Sequence, residues 1–196
     1  MACPAHFDPL MDAFLVSTVV VAIGEIGDKT QLLALMLAAR LRKPVPIILG
    51  IAAATLFNHT LAGLAGAWVR DIVPALYLRW LLALSFLIVA LWALKPDKID
   101  DVAHVPYTHL GAFAVTAVAF FLAEIGDKTQ IATVMLAARF DNLVAVVAGT
   151  TLGMLIADVP AVFIGKLAAN KIPFKAVRIV AAALFAALAV LTLITN

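Results

Sequence analysis

The heptapeptide Glu25-Ile26-Gly27-Asp28-Lys29-Thr30-Gln31 recurs without change as Glu124-Ile125-Gly126-Asp127-Lys128-Thr129-Gln130. The offset of 99 (124 − 25) also pairs, without a gap, Met36 with Met135, Arg40 with Arg139, Gly50 with Gly149, Pro74 with Pro173, Arg79 with Arg178 and Phe86 with Phe185. One offset held over that length marks a duplicated half rather than a repeated motif. Any fold of this chain must therefore set two copies of one unit against each other.

Hydropathy decides what that unit is. The 196 residues are 65% apolar and 13% charged, with mean hydropathy +1.10, whereas soluble domains run at about 45–50% apolar and about 25% charged. Such a chain belongs in lipid. Crossing the hydrocarbon takes about 20 apolar residues, and six stretches qualify: 13–39, 45–69, 76–94, 109–138, 143–167 and 175–195. The pieces 14–24 and 32–39 are too short to cross alone, so the polar heptapeptides lie inside the first and fourth spans. Three spans per half is an odd number, so the second half enters the membrane in the opposite direction. The expected fold is an all-α integral membrane protein of six transmembrane helices in two inverted three-helix repeats, with motif helices 1 and 4 at the centre. Residues 1–94 form the first repeat, 95–107 a polar cytoplasmic linker, and 108–196 the second repeat.

Orientation follows from loop lysines and arginines. Arg40, Arg42, Lys43, Lys95, Lys98, Lys166, Lys171, Lys175 and Arg178 fall on the linker side, and only Arg70, Arg79 and Arg139 on the other. Both termini are therefore expected outside the cytoplasm. No basic run is dense enough for a nucleic-acid partner, despite the net charge of +2. Cys3 is the only cysteine, which excludes an intrachain disulfide and a cysteine-built metal cage. The N-terminus has no basic segment ahead of a short apolar core, so no cleaved signal is expected and the first apolar stretch is read as a retained span.

Glu25 and Glu124 then fall roughly 20 Å from either end of their spans. Carboxylates at that depth are costly and are expected to face a bundle interior or an aqueous cavity. On a continuous helix, Glu25 and Asp28 share a face at i, i+3, as do Glu124 and Asp127, while Glu25 and Lys29 form an i, i+4 pair. Gly27 and Gly126 between the acids permit close helix approach or local unwinding. Thr30, Gln31, Thr129 and Gln130 add neutral oxygens. An all-oxygen set of this kind suits hard or borderline divalent cations such as Mn²⁺ and Ca²⁺; Met36 and Met135, one to two turns away, are read as packing residues rather than sulfur ligands. Four acids less two lysines leave a formal charge of −2, which one divalent cation or two protons would neutralise.

Asp158 is the next candidate ligand, two residues before Pro160, whose missing N–H leaves the Ile156 carbonyl without its helical donor. Its repeat mate is His59, beside Asn58, so the position is polar in both halves but chemically different. Gly63, Gly66, Gly153 and Gly165 are read as close-packing positions. A purely structural seam is the competing reading of the heptapeptides, but such seams use Ser, Thr and Gly rather than four acids. An exporter of small organic solutes such as amino acids, and an intramembrane aspartyl protease, are the other classes. The first predicts a roomier apolar pocket, and the second needs Gly-x-Gly-Asp where this chain has Glu-Ile-Gly-Asp.

The duplicated E-x-G-D-K/R-T/S motif in a chain of this size resembles the family of cation/proton antiporters that includes bacterial manganese exporters and the chloroplast and Golgi calcium/manganese transporters. The resemblance covers both halves. It implies a transporter rather than an enzyme, exporting Mn²⁺, with Ca²⁺ as a second cargo, from the cytosol in exchange for protons. The motif acids Glu25, Asp28, Glu124 and Asp127 would be ligands, with Thr30, Gln31, Thr129 and Gln130 assisting. No cofactor is expected, the metal being substrate. The short N-terminus, without the extra segment of organellar members, points to a bacterial inner membrane.

Overall fold

The computed structural model describes residues 9–95, 111–164 and 174–194. Within them the chain is entirely helical: α1 (Pro9–Glu25), α2 (Lys29–Leu41), α3 (Pro44–Ile72), α4 (Ala75–Ala93), α5 (Ala112–Glu124), α6 (Lys128–Arg139), α7 (Leu143–Ile164) and α8 (Phe174–Ile194), with no strand among the described residues. The anticipated linker, apart from Lys95, lies outside the described residues, as do Gly165, Lys166, Lys171 and Pro173.

Three helices, Pro44–Ile72, Ala75–Ala93 and Leu143–Phe163, are long and apolar enough to cross a membrane, and Ala112–Glu124 and Arg178–Ile194 are shorter apolar helices. The stretches expected to form the first and fourth spans are not continuous. α1 stops at Glu25 and α2 restarts at Lys29 with a 70° bend between them, and α5 stops at Glu124 before α6 restarts at Lys128. The cause lies in the heptapeptide. Gly27 and Gly126 adopt φ of 83° and 73°, left-handed values that only glycine reaches without steric cost, so each motif breaks its helix at the glycine.

Long apolar side chains point outward over much of the surface, among them Trp68, Trp80, Leu91, Val144 and Phe163, an exterior matched to lipid rather than water. The interior is held in two apolar clusters. In one, Phe86 of α4 and its repeat mate Phe185 of α8 are both fully buried beside Leu136 and Val146; in the other, Leu37, Ile47, Ile51 and Phe120 join α2, α3 and α5.

The halves pack by exchange. α1 lies against α7, and its repeat mate α5 lies against α3; α2 meets α7, and α6 meets α3. A glycine sets each long-helix contact. A Cβ on Gly50 would stand 2.8 Å from the Phe113 carbonyl oxygen and from the Thr116 Cβ, and one on its mate Gly149 would collide with the Phe14 carbonyl oxygen. Gly63, Gly66 and Gly153 are likewise closely packed against neighbouring helices, at Leu143 and Val147, at Val134 and Ala137, and at Thr18 and Ala22 respectively. That outcome matches the packing role read from the sequence.

Candidate functional site

Breaking the two helices puts four helix ends inside the bundle, where unpaired backbone carbonyls and amides need partners. Part of that need is met locally. Asp28 N donates to Glu25 O at 3.0 Å, and Asp127 N donates to Glu124 O at 3.0 Å. The last motif residue closes the turn: Gln31 Oε1 accepts from Gly27 N at 3.0 Å, and Gln130 Oε1 from Gly126 N at 2.7 Å. This is close to a capping box, with the glutamine reaching back to the residue before the N-cap. Gln31 Nε2 also donates 3.0 Å to the Ala157 carbonyl, tying the first motif to α7. The two glutamines, expected as ligands, thus act first as fasteners of the broken helices.

Asp28 and Asp127 hold the N-cap positions of α2 and α6, yet neither caps its own helix. Their carboxylates turn instead to the other half. Lys128 Nζ lies 2.9 Å from Asp28 Oδ1, and Lys29 Nζ lies 3.5 Å from Asp127 Oδ1. The i, i+4 pairing of Glu25 with Lys29 expected from a continuous helix is therefore not what forms. The break at Gly27 removes the helical register that would have joined them, and each lysine crosses to the aspartate of the opposite repeat. A lysine in the first turn of a helix opposes the helix dipole, so these cross-pairs are what holds the cations there.

The buried carboxylates converge. One oxygen each from Glu25, Asp28 and Asp127 lie within 4.8 Å of one another. Glu25 and Asp28 are fully buried, and Asp127 nearly so. Thr30 Oγ1 donates to Glu25 Oε2 at 2.6 Å, and Thr129 Oγ1 to Asp127 Oδ2 at 3.4 Å. Such an oxygen trio matches the first shell of a divalent cation. Glu124 is not one of these three. Its Oε1 accepts from Thr55 at 2.9 Å and its Oε2 from Asn58 at 3.2 Å, both residues of α3 in the other half.

Asp158 is fully buried on α7, beside Pro160 inside the same helix, and neither of its oxygens has a hydrogen-bond partner. Its chain neighbour Ala157 is tied through its carbonyl to Gln31 of the first motif. His59, the mate of Asp158, is fully buried with both ring nitrogens unbonded. Met36 is half exposed, and Met135 packs in the apolar core. Thr55 was not singled out by sequence. The available signal was its place three residues before Asn58, which puts both on one face of α3.

Comparison with known proteins agrees with this chemistry. Residues 13–101 and 112–196 match the family described as "Divalent cation/proton antiporter GDT1". A Vibrio cholerae protein named "Putative manganese exporter" is 50% identical over 190 residues, covering 96% of this chain and 94% of the relative. A GDT1-like protein of Synechocystis is 31% identical over 210 residues, 93% of this chain and 97% of its own length. A GDT1-like protein of Oryza sativa is 30% identical over 202 residues, 90% of this chain and 71% of its own. No solved structure matches the chain.

Proposed function

The chain belongs to the GDT1 family of divalent cation/proton antiporters, and on that premise we propose that it exports Mn²⁺, with Ca²⁺ as a second cargo, from the cytosol across a bacterial inner membrane in exchange for protons. The observation that carries this reading is the buried trio of Glu25, Asp28 and Asp127, with oxygens within 4.8 Å of one another, in a chain whose single cysteine, Cys3, cannot build a thiolate cage. Oxygen ligands of that kind suit Mn²⁺ and Ca²⁺. The name of the Vibrio cholerae relative favours Mn²⁺ as the cargo.

Protons and metal compete for the same carboxylates. At the cytoplasmic face the cation displaces protons, and at the outer face protons displace the cation. The reciprocal packing of α1 on α7 and α5 on α3 supports two halves inserted in opposite directions, whose rocking exposes the acids to one side and then the other. The linker then lies in the cytoplasm and both termini outside, in keeping with the distribution of Lys and Arg. Glu25, Asp28, Asp127 and Asp158 supply the charge that cation and protons neutralise in turn, with Glu124 as a proton-transfer group whose loss stops exchange, Thr30 and Thr129 as oxygen-bearing neighbours, and Gln31 and Gln130 holding the broken turns.

The test is Mn²⁺ and Ca²⁺ uptake into inside-out proteoliposomes under an imposed pH gradient. Mn²⁺ flux that collapses with the gradient, and in Asp28→Asn, Asp127→Asn and Glu124→Gln, is the expected result. Full flux in those variants, or silence for both metals with or without a gradient, overturns the reading.

A further inference from the structure

The two long repeat-mate helices α3 and α7 differ in chemistry where α3 meets the second motif. Thr55, Asn58 and His59 of α3 correspond at the offset of 99 to Met154, Ala157 and Asp158 of α7. At i, i+3 and i+4 each set occupies one helix face, and each faces the motif of the opposite half. Thr55 and Asn58 bond Glu124, while the Ala157 carbonyl accepts from Gln31 of the first motif.

The two motif glutamates therefore meet opposite chemistry. Glu124 receives a donor on each oxygen, and a carboxylate so bonded is satisfied without a metal. The corresponding positions of α7 are Met154 and Ala157, side chains that donate nothing. Glu25 Oε2 takes Thr30, and its Oε1 is buried with no hydrogen-bond partner. Asp158, one residue past Ala157, adds two more buried oxygens that no donor reaches. Pro160 leaves the Ile156 carbonyl without its helical N–H, a further acceptor one turn of chain away. Buried acceptors in excess of donors are costly unless something positive joins them.

We propose that the transported cation is held on one side only of this duplicated site, by Glu25, Asp28, Asp127 and Asp158, with Glu124 outside the coordination sphere. Formal charge agrees. Four carboxylates with Lys128 on Asp28 and Lys29 on Asp127 sum to −2, the complement of one divalent cation. The duplicated sequence thus encodes one binding site, not two, and Asp158 is a ligand that the symmetric motif does not contain. The inference rests on the antiporter reading above.

Binding of Mn²⁺ to the purified full-length chain in detergent, followed by the electron paramagnetic resonance signal of the free ion, separates the two. Wild type should bind one Mn²⁺ per chain. Glu25→Gln and Asp158→Asn should each weaken binding at least tenfold, Asp158→Glu should recover part of it, and Glu124→Gln should stay within about threefold of wild type. Monodisperse elution and an unchanged melting temperature establish that each variant is folded. Should Asp158→Asn not fold, the triple replacement of Met154, Ala157 and Asp158 by their mates Thr, Asn and His takes its place, with the same tenfold loss expected. Equal losses in Glu25→Gln and Glu124→Gln, two ions per chain, or wild-type affinity without Asp158 overturn the one-sided site and leave the antiporter standing. Absence of any Mn²⁺ binding by wild type overturns both.

Discussion

Lys128 of the second motif donates to Asp28 of the first across 2.9 Å, with both side chains buried and 100 positions apart in the chain. Its counterpart, Lys29 with Asp127, is longer at 3.5 Å and its lysine is partly exposed. The motif lysines thus join the two repeats rather than neutralising their own.

Removing one partner of a buried pair leaves an uncompensated charge, at a cost of about 3–5 kcal/mol. Lys128→Met should accordingly melt well below wild type in detergent, and the double variant Asp28→Asn/Lys128→Met should recover most of that stability without recovering flux. Lys29→Met should cost less, because its ammonium is partly solvated. Equal losses for the two lysines would show that the pairs are energetically alike.

Coupling follows from formal charge. If Glu25, Asp28, Asp127 and Asp158 with the two motif lysines carry a net −2 that one cation or two protons neutralise, Mn²⁺ export should exchange close to two protons per ion. Simultaneous measurement of proton and Mn²⁺ flux in proteoliposomes gives the ratio directly, and a value far from two removes the charge argument.

Thr30 holds Glu25 Oε2 at 2.6 Å. Hydrogen bonds to charged groups contribute about 1.5–3 kcal/mol, so Thr30→Val should weaken Mn²⁺ binding by about tenfold or more, while Thr30→Ser keeps it. Loss of affinity in both variants would point to the methyl group instead.

The helix break at the second motif makes a backbone prediction. Gly126 has φ of 73° and open space where a Cβ would stand, so Gly126→Ala should cost only the left-handed conformation, about 1–2 kcal/mol. Gly149→Ala meets the Phe14 backbone instead and should cost about 1–3 kcal/mol by overpacking while prying α1 from α7. Differential scanning of the two variants, with flux measured alongside, distinguishes strain from steric separation.

Much of this protein is legible in one dimension. Apolar stretches long enough for lipid, the offset of 99 and the acids within the first and fourth stretches are properties of composition and spacing, and the helices stand where those stretches lie. The glycines between the acids announced a possible break, because only glycine reaches the backbone angles found at 27 and 126.

Partnership was not legible. Counting along a continuous helix paired Glu25 with Lys29, but the break cancels that register, and the lysine finds an aspartate in the other repeat. Thr55 looked unremarkable until α3 packed beside the second motif and its hydroxyl met Glu124. The sequence by itself determined that two identical acidic motifs would be buried, since hydropathy and periodicity act locally along the chain. Only the tertiary structure decided which carboxylates converge and which are bonded away, because hydrogen bonds and ion pairs at about 3 Å depend on where helices distant in sequence come to rest.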